Sequence, residues 1–212
     1  MSVDGTRLGR GDGSGVGKRR RKSGPERRAE IVAATVSILA DEGLHAWTTA
    51  ALAQRVGVSE ATLFRHFSSK TEILSAALEH EARALRHRVA RYQGEGSAWD
   101  RLVGLVLDVT HFLQATGGGP LVVLSGQASR VSPETRQEVT LTRNLLRSRL
   151  AEFFRQAVTE CDGRRPIHPL LFADLAVAII HSTGLRWMAD RDFPLQREAG
   201  AMLGVLKACV ED

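Results

Sequence analysis

Residues 48–70, TTAALAQRVGVSEATLFRHFSSK, constrain the fold more than any other stretch, because two short amphipathic segments there flank a single glycine. Over 49–55 the spacing predicts a helix with Leu52 and Val56 on one face and Ala53 small enough for a second helix to cross close by. Gly57 follows Ala53 by four residues, where a chain reversing between helices needs positive φ, and Val58 closes the turn. Ser59 is an N-cap residue for a second helix running to about residue 66. With Leu63 facing inward, a rotation of about 100° per residue brings Ser59 and Phe67 to the same side. Ala61 and Arg65 then fall opposite, flanked by Thr62 and Phe64. An outward stripe of this kind suits the DNA major groove, from which a bulky or acidic surface is excluded or repelled. The pattern predicts a helix-turn-helix.

The same residues, and more loosely 27–78, resemble the N-terminal DNA-binding domain of the TetR family of bacterial regulators. The resemblance implies an all-α homodimer: an N-terminal three-helix helix-turn-helix domain for a double-stranded DNA operator, joined to a larger C-terminal helical domain for dimerisation and a small-molecule effector. By position it implies that Ala61, Thr62 and Arg65 read bases, while Thr49, Phe64, His66 and Lys70 contact the DNA backbone. Family members usually carry tyrosine where this chain has Phe64; a phenyl ring stacks on sugar but donates no hydrogen bond to phosphate. The stretch GVSEATLFRHFSSK also resembles the head of the nucleoid-occlusion factors that share this fold, and LSGQASRV at 124–131 is similar to part of their body. On that alternative the chain is a DNA-bound factor acting on a protein partner.

The net charge of +5 over 212 residues suggests nucleic acid, but its location changes the argument. Residues 1–24 hold seven basic and two acidic side chains, which is the whole excess; the other 188 residues are neutral. Within 25–72 there are five basic and six acidic residues, so bulk charge does not make this domain bind DNA. The 1–24 arm has seven glycines and almost no apolar side chains, and is expected to be disordered when free. Two readings of it stay open: a tether laying Lys18, Arg19, Arg20, Arg21 and Lys22 along DNA phosphates, or a tail without specific role.

Onward from the arm, Ser23, Pro25 and Glu26 form a capping-box start for a helix to about residue 42, with Gly43 as its stop. Ile31, Ala34, Thr35, Ile38 and Leu39 give it an apolar stripe that packs behind the helix-turn-helix with Leu44, Trp47 and Phe67. Ser68 or Ser69 caps a long helix from Lys70 to about Tyr92, a rigid link from head to body, whose N-terminus attracts phosphate. Further helices are expected over 99–114, 120–128, 132–159, 170–189 and from 195 to about 210. The domains expected are therefore a basic arm at 1–24, the DNA-binding domain at 25–72 and the effector and dimerisation domain at 73–212. The segment 170–189 reads as a helix buried on most of its circumference, and with the last helix it is expected to form a dimer interface shaped as a four-helix bundle.

Residues that mix apolar walls with a few polar groups, Trp99, His111, Phe112, Gln114, His181 and Trp187, are the candidates for an effector pocket. No Ser-His-Asp, Cys-His or paired-carboxylate arrangement with recognisable context is present, so no catalytic residue, metal or cofactor is expected. GRGDGSGVGK has glycines but no preceding strand, and Arg stands where a phosphate loop needs Ser or Thr. Cys161 and Cys209 are isolated and read as structural thiols. No run of 18 apolar residues and no signal-peptide core appear, which leads to an expectation of a cytoplasmic, nucleoid-associated protein without membrane contact. If the arm holds phosphates, deleting residues 1–22 is expected to lower the slope of log affinity against log salt by several units, at about 0.9 per contact, in binding isotherms on duplex DNA; an unchanged slope would leave it a passive tail.

Overall fold

Hydroxyl side chains start most of the helices. The computed structural model describes residues 23–43, 45–118, 132–160 and 167–211, with side chains in the last stretch to residue 208. The arm with Lys18 to Lys22, Leu44, the helix expected over 120–128, LSGQASRV at 124–131, Cys161 and the Cys209 thiol lie outside the described residues. Ser23 caps α1 (Gly24–Asp41) with the expected capping box: the Ser23 N–H donates to Glu26 Oε2 at 2.7 Å and the Glu26 N–H to Ser23 Oγ. Thr48 caps α2 (Thr49–Val56), Ser59 caps α3 (Glu60–Phe64), Ser69 caps α4 (Lys70–Arg91) and Ser97 caps α5 (Ala98–Ala115). Each such cap is worth about 1 kcal/mol against alanine. Beyond them lie α6 (Pro133–Glu160), α7 (Pro169–Ala189) and α8 (Leu195–Glu211), and no strand occurs among the described residues.

The apolar side chains gather into two main cores. Ile31 and Ile38 of α1, Trp47, Leu52, Leu63, Phe67 and Ile73 form the core of the head. Leu102, Leu105 and Val109 of α5, Leu150 and Phe154 of α6, Phe172 and Ile180 of α7 and Leu203 of α8 form that of the body. At its centre the rings of Phe154 and Phe172 stack 3.9 Å apart and nearly parallel. α4 enters both: Ile73 belongs to the head, Leu85 and Val89 to the body, and Leu78 and Ala82 pack with Val139 between them. Buried threonines bind α6 to the backbone of α4, Thr135 through the carbonyl of Ser75 and Thr142 through that of Ala82. Head and body also meet away from α4. Gly117, at φ +70° just past α5, lies so close to α1 that a Cβ there would overlap the Leu39 carbonyl oxygen and the Ala40 Cα.

Two expectations change. α3 ends at Phe64 rather than about 66, because Arg65, His66 and Phe67 turn back on the carbonyls of Thr62 and Leu63. α7 is less covered than its composition suggests. It is long and apolar enough to cross a membrane by length and composition, with mean hydropathy 1.3, and it packs Phe172, Ala173, Ala176 and Ile180 into the body. Its other flank is bare in the single chain, where Leu171, Leu175 and Leu185 are exposed.

One ionic clasp holds α1 against the α3–α4 turn. Arg28 donates to the carbonyl of His66 and to Glu72 Oε1 at 2.7 Å, and its guanidinium lies 3.9 Å above the Phe67 ring. Glu72 Oε2 accepts from the Ser68 N–H at 2.6 Å and from its hydroxyl at 2.7 Å. These donors, the Ser68 N–H first and Arg28 next, hold the Glu72 carboxyl at about 2 instead of 4.5. A carboxylate lowered in the folded state contributes stability that is present above pH 4.5 and is lost as the pH falls toward about 2. Glu72→Gln is expected to lower the melting temperature at neutral pH and to flatten its fall across that acid window. Circular-dichroism melts over the window check this, and an acid limb as steep as the parent's would remove the clasp from the stability of the fold.

Candidate nucleic-acid interface

α2 and α3 owe their mutual angle to the glycine between them. Gly57 takes φ 73°, and its N–H and that of Val58 close the end of α2 on Gln54 and Ala53 at 3.1 and 2.9 Å. Ser59 Oγ accepts the Thr62 N–H at 3.2 Å and lies 3.0 Å from the Thr62 hydroxyl. Leu63 at 0% and Phe67 at 2% exposure anchor α3 to the head core. Opposite them Ala61 and Arg65 are exposed, Thr62 is half-buried, and Phe64 leaves 45% of its surface to solvent. Five residues of helix give little over one turn, so the outward side chains come from α3 and the turn that follows it.

Ion pairing inside the head decides which cations are available to a ligand. Arg27 pairs with Glu30 at 2.6 Å and Arg28 with Glu72. Arg55 reaches Glu42 at 2.5 Å, Asp41 at 3.6 Å and the Ser37 hydroxyl at 2.9 Å, which ties α2 to the end of α1. Arg65 and Lys70, the two other basic residues of 25–72, are exposed and have no carboxylate partner among the described residues. Lys70 starts α4, at the positive end of a 22-residue helix, with its Nζ 5.0 Å from the Trp47 ring centroid. A charge-balanced domain thus leaves two cations without a carboxylate partner among the described residues, Arg65 at the end of α3 and Lys70 at the start of α4. Thr49 and His66 are half-buried nearby, His66 with its carbonyl held by Arg28. The reasoning from sequence missed this internal pairing, since Arg28 and Glu72 are 44 residues apart and no local pattern joins them.

The six candidate effector residues do not share one cavity. Trp99 sits edge-on to Phe172 at 5.9 Å, and Phe112 packs against the body core. Trp187 joins Phe193 and Leu195 beneath the guanidinium of Arg191, and His111 is exposed. His181 lines a cleft of about 340 Å³ with Arg143, Asn144, Arg147 and Asp174. Burial, and then the charge of Arg143, press its pKa below the ordinary value, and its Nε2 is buried without a partner among the described residues. Gln114 is engaged by Gln196. No group of three or more His, Cys, Asp or Glu side chains fit to hold a metal occurs among the described residues.

Residues 31–77 match the family described as "Bacterial regulatory proteins, tetR family". The nucleoid occlusion factor SlmA of Haemophilus influenzae (strain PittGG) is 32% identical over 131 residues, 61% of this chain and 55% of the relative. The chain therefore spans about half the length of that curated relative. Among solved structures, a TetR-family regulator from Agrobacterium tumefaciens superposes with TM-score 0.70 at 14% identity, covering 89% of this chain and 99% of that one. A transcriptional regulator from Saccharomonospora viridis in complex with choline gives TM-score 0.70 at 21% identity, over 88% and 98% of the two chains. At these identities the structural likeness concerns the fold, and the family rests on the head with its capped helices, glycine turn and matched residues. Residues 31–77 of the chain thus match the helix-turn-helix domain of the bacterial TetR-family regulators, and the described helices share the fold of solved regulators of that kind.

Proposed function

We propose that the chain acts as a homodimer on a double-stranded DNA operator, as a repressor released when a small-molecule effector binds. The observation that carries the reading is the pairing pattern of the head: every arginine of 25–72 except Arg65 is held in an ion pair, while Arg65 at the end of α3 and Lys70 at the start of α4 have no carboxylate partner among the described residues. In this reading Ala61, Thr62 and Arg65 meet base edges, while Thr49, Phe64, His66 and Lys70 meet the backbone. Bare leucines of α7 together with Met202 at 38% and Val205 at 65% exposure on α8 are the surface for the second copy, which would set two reading helices about 34 Å apart, one turn of DNA. The choline complex of a structural relative supports a small-molecule effector for this fold.

A second reading is favoured by the matched relative itself, a nucleoid occlusion factor: DNA binding then serves an action on a protein partner. Sequencing the genomic fragments bound by the purified chain separates the two. A few promoter sites support the local repressor; many sites inside genes with one chromosomal region left bare support the occlusion reading.

Arg65→Ala is expected to cost about 1 to 3 kcal/mol on the selected operator and to relax base preference, whereas Lys70→Ala should weaken all sequences alike and lower the salt slope by about one. Equal losses on operator and random DNA for Arg65→Ala would remove its reading role. Val205→Glu places a charge on the bare face without touching either core, and should shift the chain to monomer in light scattering and weaken operator binding; a dimer that persists would place the interface elsewhere.

A further inference from the structure

The cleft of about 340 Å³ that His181 lines lies between α6 and α7, on the outside of the body. Its charges are unevenly matched. Asp174 is the one acid of α7, and both its oxygens are taken by Arg147, whose Nε and Nη2 reach them at 2.5 and 2.8 Å. On α6 the acid nearest in the chain to Arg143 is Glu138, which lies 2.8 Å from Arg86 of α4. Arg143, also part of the lining, is exposed and has neither a hydrogen bond nor an ion pair among the described residues. Asn144 beside it is exposed and equally without a partner there. Burial, and then the charge of Arg143, favour the neutral His181 ring, whose Nε2 is the buried atom without a partner. The lining therefore sets two guanidiniums against one carboxylate, with an amide and an imidazole nitrogen left over. Val177 and Ala178 give it an apolar wall.

We propose that this cleft binds a small organic monocarboxylate, with its carboxylate on Arg143 and the Asn144 amide and its apolar body along Val177 and Ala178. A guanidinium presents a planar fork that fits a carboxylate through two parallel hydrogen bonds, and Arg143 has that fork free. One negative charge balances the surplus of the lining, whereas a doubly charged phosphate would leave an excess beside Asp174. The volume lies in the range of small-ligand sites and leaves room for an organic body. The cleft is also distinct from the bare flank offered to a second copy. Asp174, Val177 and His181 lie roughly 100° or more round α7 from Leu175, on the side that the Arg147–Asp174 pair turns to α6. Nothing in the site depends on DNA, so it stands or falls apart from the operator reading above.

Titration of the full chain with benzoate, benzamide and inorganic phosphate tests the site, followed by the proton–nitrogen ring signals of His181, which are identified by their loss in His181→Gln. Benzoate is expected to saturate with a dissociation constant of about 1 mM, tighter than benzamide by about tenfold, and to move the His181 signals as it binds. Arg143→Gln changes an exposed side chain that no other group holds, so it should weaken benzoate by about tenfold at unchanged melting temperature. Arg143→Lys should fall between parent and Arg143→Gln, because an ammonium keeps the charge and loses the fork. No saturation by about 50 mM benzoate, benzamide binding as tightly, or phosphate binding more tightly would each overturn the proposal. So would saturation that leaves the His181 signals in place, or benzoate binding undiminished by Arg143→Gln.

Discussion

Everything in this molecule hangs on α4 being common property. Neither core is complete without it: Ile73 fills the head while Leu85 and Val89 fill the body, and the helix between them is held to α6 by Val139 and two buried threonines. A hydrogen-bonded helix anchored in a core near each end cannot bend at its middle without exposing apolar surface of one core, at about 25 cal/mol per Å². Head and body are therefore joined by a rod instead of a linker, and the orientation of one is set by the packing of the other.

The head shows how a domain of balanced charge can still present a cationic face. Counting residues over 25–72 gives a slight acidic excess, yet the acids are spent inward, Glu30 on Arg27, Glu42 on Arg55 and Glu72 on Arg28. Glu60 is exposed, but it stands in the first turn of α3, where a carboxylate offsets the helix dipole. Surface pairs of this kind contribute little stability singly. Their consequence here is subtraction: they remove Arg27, Arg28 and Arg55 from the set of side chains available to a phosphate.

Much of the head was legible in the sequence because its rules are local. Ser23 with Glu26, Thr48, Ser59 and Ser69 act within three residues of themselves, Gly57 acts on its own φ, and Leu52, Leu63 and Phe67 follow the helical period. The long-range devices were not legible. Nothing near Arg28 in the chain points to Glu72, and nothing near Gly117 says that its missing side chain faces the backbone of Leu39. The effector candidates failed to converge for the same reason: tryptophan and histidine identify what a pocket wall could be made of, but Trp99 and Trp187 were drawn to different partners, Phe172 and Phe193. The cleft at His181 joins Arg143 and Asn144 of α6 to Asp174 and Val177 of α7, and those residues carry no mark until the two helices are placed.

Among the described residues the head meets the body through the continuous α4 and through the side-chain-free contact of Gly117 with α1. With 22 residues at 1.5 Å each, α4 is a lever about 33 Å long. A tilt of about 5° about its far end carries the tip through about 3 Å, the whole length of a hydrogen bond to a base edge. Geometry alone thus converts a sub-ångström change at a packed seam into the difference between contact and none.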